Sequence, residues 1–171
     1  MKGKDIILGI LSTSDKTGYE INDILQNQLS YFCDGTYGMI YPTLKKLEQA
    51  GSISKQEIIQ SGKPNKNIYS ITDKGQREFA EYLSADVAPS TFKSDFLLHL
   101  FFGADLPKEQ VEKLIKEELA RKKGQLQQLL DNYQMWQQQG ISQTQLITVN
   151  YGIVQYKAVI EFLQSQLDEL N

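Results

Sequence analysis

The sequence predicts a mainly helical chain that carries one small β-hairpin. Three observations support this fold class. Residues 5–51 contain three segments whose apolar residues follow helical spacing, residues 53–71 contain two short runs of β-branched and aromatic residues, and residues 146–170 repeat apolar residues every three or four positions. With 171 residues, of which 40% are hydrophobic and 23% are charged, the chain fits one large or two small domains.

The amino-terminal segment predicts two consecutive helices. The apolar block "DIILGILS", residues 5–12, forms the first helix. Thr17 is placed as the N-cap of the second helix, and Glu20 three residues later completes a capping box. The apolar residues that follow have the spacing of one helix face, and they are Ile21, Ile24, Leu25 and Leu29.

The next segment, "GTYGMIYPTLKKLEQAG", predicts a third helix that ends at its last glycine but contains a proline. Pro42 lacks the amide hydrogen that would bond the carbonyl of Gly38. If the helix begins near Thr36, this defect falls in the first two turns, where backbone partners are already incomplete. We hypothesise that Gly35, Gly38 and Pro42 let the amino end of this helix approach another surface closely. The alternative is that Pro42 starts the regular helix and residues 35–39 form a turn.

Two strands and a fourth helix follow. "SISKQEIIQ" and "NIYSIT" predict a β-hairpin, and the basic, turn-rich connection "SGKPNK" forms its tip. Thr72 caps the fourth helix, in which Phe79, Tyr82 and Leu83 are expected to pack back on the first three helices. This order of elements describes a winged helix-turn-helix, so we expect a DNA-binding domain over residues 1–84.

A linker, "SADVAPST", separates this domain from a helical domain expected over residues 92–171. Its last segment predicts a coiled-coil seam, which needs a partner helix. The sequence allows two partners, the segment 107–136 of the same chain or a second subunit, and we favour use in a dimer. The seam residues are Leu146, Val149, Ile153, Tyr156, Ile160, Leu163, Leu167 and Leu170.

Reactive side chains are too few to indicate an enzyme. The chain has one histidine and one cysteine, and it contains neither a glycine-rich phosphate loop nor a G-x-S-x-G motif. We therefore expect no catalytic residue, metal or cofactor. No apolar run approaches the roughly 20 residues that cross a bilayer, and the single Cys33 cannot form an internal disulfide. We expect a cytoplasmic protein without a membrane partner.

Positive charge is concentrated in one part of the chain. The whole protein has a net charge of -3 and a pI near 5.2. Within residues 42–77, however, seven lysines and arginines face three acidic residues. DNA binding depends on the local patch rather than on the total charge, so the acidic pI does not exclude it.

Several motifs resemble the PadR family of transcriptional regulators. They are "TGYEI", "GTYGMIYPTLKKLEQAGSI" and "GKPNKNIYSITDKG", and the helical tail completes a resemblance over nearly the whole chain. The resemblance implies a homodimeric repressor that binds double-stranded DNA through its winged helix-turn-helix. The tail resembles the larger-tailed branch, which includes phenolic-acid-responsive repressors, and this implies a small aromatic effector.

The expected DNA-binding residues lie on three elements. The amino-terminal part of a recognition helix usually reads base edges in the major groove. Helix-end hydroxyl groups and lysines suit phosphates, and wing lysines suit the backbone or the minor groove. The candidates are Thr36, Tyr37, Met39 and Tyr41 for bases, Thr17, Tyr19 and Lys45 for phosphates, and Lys63 and Lys66 for the wing. Packing in the core is an equal alternative for Tyr41, as it is for Tyr69.

An effector requires a pocket, and the aromatic residues of the tail offer lining for a planar molecule. Tyr133, Trp136 and Tyr151 are the candidates, although most aromatic residues of the tail are expected in the core. Two other classes of protein stay open, a small-molecule-binding enzyme, against which the scarcity of reactive side chains argues, and a protein-interaction adaptor. Because residues 1–83 carry no net charge, the chain could be an adaptor whose tail binds a protein while its winged domain has lost DNA affinity.

Overall fold

The chain forms two compact units, residues 1–89 and residues 90–171. The structure is a computed structural model, and it describes residues 2–33, 37–59 and 65–170, without the side chain of Tyr37. The elements of the first unit are α1 (Gly3–Leu11), β1 (Lys16–Thr17), α2 (Gly18–Asp23), α3 (Tyr37–Gln49), β2 (Ile53–Ile58), β3 (Lys66–Ile71) and α4 (Asp73–Ser84). Those of the second unit are α5 (Asp95–Phe101), α6 (Lys108–Gln139) and α7 (Gln143–Leu170).

One hydrophobic core lies among the first three helices and the sheet of the first unit. Its helical residues lie three or four positions apart in α1, in α3, and in α2 with the turn that continues it, because only the inward side of each helix is covered. This spacing is the one predicted from the sequence. The buried apolar residues are Ile7, Leu8, Ile10, Leu11, Ile21, Leu25, Cys33, Ile40, Leu44, Leu47, Ile53 and Tyr69.

α4 begins as predicted but packs less completely than predicted. The hydroxyl oxygen of Thr72 accepts a hydrogen bond of 3.2 Å from the amide of Gly75 and caps the helix. Phe79 packs against the core. The ring of Tyr82 stacks on the ring of Phe79, with their centroids 6.2 Å apart. Leu83 is 67% exposed. The expectation of packing is wrong for Leu83, because the last turn of α4 extends beyond the core.

The sheet has three antiparallel strands rather than the predicted two, in the order β1-β3-β2. β2 and β3 form the predicted hairpin, with Ile53 opposite Ile71 at its base. The additional strand β1 contributes Lys16 and Thr17, which lie opposite Tyr69 and Ile68 of β3. A strand of two residues has no periodicity, so the sequence could not predict it. Residues 60–64, in the tip of the hairpin, lie outside the described residues.

α2 has the predicted capping box at its start. The amide of Glu20 donates to the Thr17 hydroxyl oxygen over 3.2 Å, and the amide of Thr17 donates to the Glu20 carboxylate over 2.7 Å. The helix then continues as a π-helical turn, Ile24–Gln28, which the sequence did not predict. A π-helical turn adds one residue to the ring that each hydrogen bond closes.

α3 contains Pro42 in its interior. The alternative in which Pro42 starts the helix is therefore wrong for residues 37–39, which are already helical, whereas Gly35 and Thr36 lie outside the described residues. The helix stops as predicted. Gly51 has a φ of +72°, in the left-handed region that favours glycine after a helix, and the amide of the next residue donates to the Leu47 carbonyl over 2.9 Å.

The second unit is built on an antiparallel pair of long helices, α6 and α7. Gly140, with a φ of +87°, ends α6, and α7 begins three residues later. At about 1.5 Å per residue, helices of 32 and 28 residues extend roughly 48 and 42 Å. α5 packs on α6 as well. In the described ranges, none of the helices has an apolar stretch long enough to cross a membrane.

α7 contacts α6 through the predicted apolar seam. Leu163 and Leu167 are buried with Ile115 and Leu119 of α6 in one cluster. From the sequence we favoured a seam that pairs between two subunits. The buried seam residues do not fit this expectation, because the short connection folds α7 back onto α6 of the same chain. The buried seam residues are Val149, Tyr156, Leu163 and Leu167, and those that are half-buried are Leu146, Ile153, Ile160 and Leu170.

Candidate nucleic-acid interface

α3 has one buried and one exposed face. A helix brings residues three, four and seven positions apart to the same side. The buried side carries Ile40, Leu44 and Leu47. The opposite side is exposed and carries Gly38, Tyr41, Pro42 and Lys45. This second set forms a continuous strip along the helix predicted to read DNA.

Tyr41 connects α3 to the start of α2. Its ring lies over Gly18, where a Cβ atom would be 2.9 Å from the ring edge. Glycine at position 18 therefore makes room for the ring. The side chain of Tyr41 is 46% exposed, so it belongs to the surface between the two helices. Tyr69 belongs to the core instead, and burial, followed by the nearby charge of Glu48, raises the pKa of its hydroxyl.

Met39 points to a different side of α3 and is not placed to read bases. Its sulfur lies over Gly3 of α1, where a Cβ atom would be 2.7 Å away, and the side chain packs against the core. Thr43, one turn later, faces the same glycine. The expectation for Met39 is wrong because α1 covers this side of the helix.

Thr17 is occupied by its capping role. It is buried, and its hydroxyl group donates to the Glu20 carboxylate over 2.6 Å. The same carboxylate fills the amino end of α2, where a phosphate was expected. Thr17 is therefore a structural residue rather than a phosphate ligand. The hydrogen bonds from the Thr17 side chain and backbone hold the pKa of Glu20 below its usual value, and the charges of Lys66 and Lys16 lower it further.

Tyr19, Lys66 and Lys16 lie around this capped helix end. Tyr19 is 76% exposed, and Lys66 is exposed at the start of β3. Lys16 and Thr17 pair with β3 directly before α2 begins, so the start of α2 and this part of the sheet form one surface. Sequence reasoning missed Lys16, whose only signal was its position immediately before the N-cap. Its amine also donates to the Ser14 hydroxyl.

Three of the predicted DNA-binding groups lie outside the part of the chain that the structure describes. They are Thr36, Lys63 and the side chain of Tyr37. Lys45, in contrast, is exposed on the strip of α3. The strip and the surface around Tyr19 meet at Tyr41.

The carboxyl end of α3 is held by the start of α4. The amine of Lys74 donates to the Ala50 carbonyl over 2.6 Å, and the hydroxyl group of Thr72 donates to the Gly51 carbonyl over 2.8 Å. Lys74 was one of the basic residues counted in the cationic stretch. Its contacts give it a role in fixing α3, and leave the DNA-facing charge to other lysines.

These features agree with the comparisons to known proteins. Residues 7–81 match the model of the "Transcriptional regulator PadR-like family", and residues 92–171 match that of the "Virulence activator alpha C-term" family. The "Negative transcriptional regulator PadR" of Bacillus subtilis is 32% identical over 132 residues, which cover 77% of this chain and 72% of the relative. This chain belongs to the PadR-like family. It is a DNA-binding transcription regulator with a winged-helix fold.

Several solved structures share the fold over nearly the full chain. The protein smu.1604c of Streptococcus mutans is 56% identical with a TM-score of 0.95, and 98% of this chain and 99% of that chain are covered. PadR of Bacillus subtilis in complex with operator DNA is 27% identical with a TM-score of 0.79, and 98% of each chain is covered. The same protein in complex with p-coumaric acid aligns at 24% identity with a TM-score of 0.68, over 98% of this chain and 94% of that chain.

The three candidate effector residues of this PadR-family chain lie on two helices and differ in exposure. Tyr133 and Trp136 are half-buried on α6, whereas Tyr151 is 68% exposed on α7. The Tyr133 hydroxyl oxygen accepts a hydrogen bond of 3.0 Å from the Gln137 amide. A cavity of about 420 Å³ lies elsewhere in this unit, lined by Leu98, His99, Phe102, Gly103, Asp105 and Leu106.

Proposed function

We propose that this PadR-family regulator is a homodimeric repressor that acts in the cytoplasm, binds an inverted-repeat operator and is released by a small aromatic acid. The observation that carries the DNA-binding part is the exposed strip of α3 beside Tyr19 and the lysines of the sheet edge. The operator complex of a relative that is 27% identical supports it.

The proposed DNA contacts come from three places. α3 enters the major groove with Thr36, Tyr37 and Tyr41, because the start of a recognition helix comes closest to base edges. Exposed hydroxyl and amine groups beside the groove suit phosphates. The phosphate and wing contacts are Tyr19, Lys16, Lys45, Lys63 and Lys66.

The proposed dimer uses apolar surface that the second unit leaves exposed. On α7, one stripe lies on the face opposite to the α6 contact, and we name it the outer stripe: Ile147, Tyr151, Val154 and Phe162. A second set lies on α5 and directly beside its two ends: Phe92, Leu97, Leu98, Phe101 and Phe102. Surface of this kind is rare on a monomer that has no partner.

The exposed area is large enough for a second copy of the chain. These nine side chains are between 46% and 81% exposed. At about 200 Å² for each large side chain, they offer on the order of 1,000 Å². A stable interface takes roughly 800 Å² from each partner. We therefore assign Tyr151 to the dimer rather than to the effector.

One experiment tests the proposed operator binding. Selection from a pool of random duplexes at low ionic strength should enrich an inverted repeat, with half-site centres about 34–36 Å or twice that distance apart. A footprint should protect both half-sites. Enrichment of no duplex would contradict the proposal and would favour the adaptor alternative.

Release requires an effector that prefers the form of the protein without DNA. We propose a small aromatic carboxylic acid, because PadR of Bacillus subtilis has been solved with p-coumaric acid. Tyr133 and Trp136 are its proposed contacts. Titration of p-coumaric acid into the complex with the selected duplex should release DNA, and cyclohexanecarboxylic acid, which has the same charge but no aromatic ring, should not. Equal release by both acids would contradict an aromatic site.

A further inference from the structure

Gly38 lies on the exposed strip of α3, and none of its neighbours in the described part of the chain requires a glycine. Among the described residues, a Cβ atom at this position would meet no atom within 4 Å. The glycines with positive φ in the described residues are Gly51 and Gly140, so the backbone at Gly38 suits any L-residue. Glycine inside a helix lowers stability relative to alanine. The chain therefore carries a destabilising residue without an internal reason.

Other glycines of the same unit have an internal reason. A Cβ atom would lie 2.7 Å from the Met39 sulfur at Gly3, and 2.9 Å from the Tyr41 ring at Gly18. At Gly75 it would overlap the Ser52 carbonyl oxygen. In each case a neighbouring group occupies the space of the missing side chain. At Gly38 that space is open to the outside.

Pro42 lies one turn after Gly38 on the same exposed side. Proline inside a helix is also unfavourable, because it removes the hydrogen bond to the carbonyl four residues earlier. That carbonyl belongs to Gly38. The pair therefore leaves a stretch of α3 with no side chain at one position, a short rigid ring at the next turn, and a main-chain acceptor that lacks its usual helical donor.

We propose that Gly38 and Pro42 form a bare face across which the backbone of α3 contacts the floor of the DNA major groove. Glycine is the residue that permits such close approach of a backbone to a ligand. The free acceptor capacity of the Gly38 carbonyl matches the exocyclic amino groups of adenine and cytosine, which are the donors in that groove. Tyr41 and Lys45 flank the bare face and contact DNA beside it. This inference rests on the proposed function and identifies the part of α3 that determines specificity.

The test uses the full chain and the duplex that the wild type selects. Gly38→Ala and Gly38→Leu add side chains of increasing size that both suit a helix. The thermal midpoint should rise by about 1–3 °C for Gly38→Ala. The affinity for the selected duplex should fall about tenfold for Gly38→Ala, and further for Gly38→Leu, since the helix can no longer approach the bases. Unchanged affinity in both variants would overturn the inference.

Two further variants separate close approach from a general effect on the helix. Gly124→Ala changes a glycine of α6 that likewise meets no atom within 4 Å, and it should raise the thermal midpoint while the affinity stays unchanged. Pro42→Ala returns an amide donor to the Gly38 carbonyl, and it should raise the midpoint while the affinity falls. If the Pro42→Ala variant binds with wild-type affinity, the Gly38 carbonyl does not take part in the contact with DNA. If the wild type selects no duplex, the proposed function fails. If it does select one, and Gly38→Ala and Gly38→Leu both bind it as tightly as the wild type, only this inference fails.

Discussion

At the scale of single residues, Gly75 determines how closely α4 can approach the sheet. Residues 72–75, "TDKG", place this glycine in the first turn of α4 against the Ser52 carbonyl oxygen, and Thr72 caps the same turn. Ser52 is fully buried, and its hydroxyl group donates to the Glu78 carboxylate over 2.9 Å. Any side chain at position 75 would push α4 away from these contacts.

We expect Gly75→Ala to lower the free energy of unfolding by about 3 kcal/mol, because the added methyl group overlaps backbone that cannot move alone. Urea denaturation monitored by circular dichroism measures this change. Gly124→Ala is the matched control, since its new Cβ meets nothing, and it should stabilise the protein by up to about 1 kcal/mol. Equal effects of the two substitutions would contradict the proposed role of Gly75.

Two tyrosines of the first unit allow a paired test of the DNA surface. Tyr41→Phe should reduce affinity for the selected duplex about fivefold, because it removes one hydrogen bond from the proposed contact. Tyr69→Phe removes the same atom from a residue in the core, and it should leave the affinity unchanged. Fluorescence anisotropy with labelled duplex measures both. Loss of affinity in Tyr69→Phe alone would place Tyr41 outside the interface.

Glu20 predicts a pH dependence of stability. Its hydrogen bonds with Thr17 hold its pKa in the folded protein below the usual value of 4.5. Its contribution to stability is therefore present above that value and is lost as the pH falls through the folded-state pKa. Glu20→Gln should flatten the fall of the thermal midpoint from about pH 5 to pH 3. Glu81→Gln, at an exposed position of α4, should leave the wild-type slope.

At the scale of elements, α3 is fixed at its carboxyl end and exposed along its outer strip. Thr72, which caps α4, and Lys74, in its first turn, donate side-chain hydrogen bonds to the carbonyls of Ala50 and Gly51 that follow α3. Side-chain donors are one way to satisfy the carbonyls at the end of a helix. The start of α4 thus helps to hold the carboxyl end of the proposed recognition helix in place.

The wing is the second element whose role can be tested alone. Replacement of Lys63 and Lys66 by alanine should weaken binding to all duplexes. It should also reduce the slope of log affinity against log salt by up to about 2, because binding releases fewer counterions when two phosphate contacts are lost. Lys157→Ala, which removes an exposed lysine of α7, should change neither quantity. If the salt slope of the double variant is unchanged, the wing lysines do not contact DNA.

At the scale of the whole molecule, α7 carries apolar residues on two opposite faces. One face packs on α6 and the outer stripe is exposed. We expect the wild type to sediment with twice its chain mass of 19.5 kDa. Replacement of Tyr151 and Val154 by glutamate should produce a monomer, because it buries charge in the interface. Gln164→Glu, at an exposed position outside the stripe, should remain dimeric. If the double variant sediments with the same mass as the wild type, the outer stripe is not part of the dimer interface.

Loss of the dimer should also weaken operator binding, since a monomer engages one half-site only. The same sedimentation samples, mixed with the selected duplex, measure this effect.

The sequence by itself determined the features that depend on near neighbours in the chain. The capping box of Thr17 and Glu20 and the stop at Gly51 follow from residues within a few positions of one another. The hairpin of β2 and β3 follows from two strand patterns on either side of one turn-rich connection. The family motifs are local in the same sense. For these elements, a short segment contains both partners of each stabilising interaction.

Only the tertiary structure decided which side of each element is covered. Met39 faces α1, and the seam of α7 packs on α6 of the same chain. Each outcome depends on a distant segment that folding brings near, and the apolar periodicity of one segment does not identify the segment that packs on it. Apolar spacing therefore predicted that a face would be buried, whereas the packing of distant segments determined what buries it.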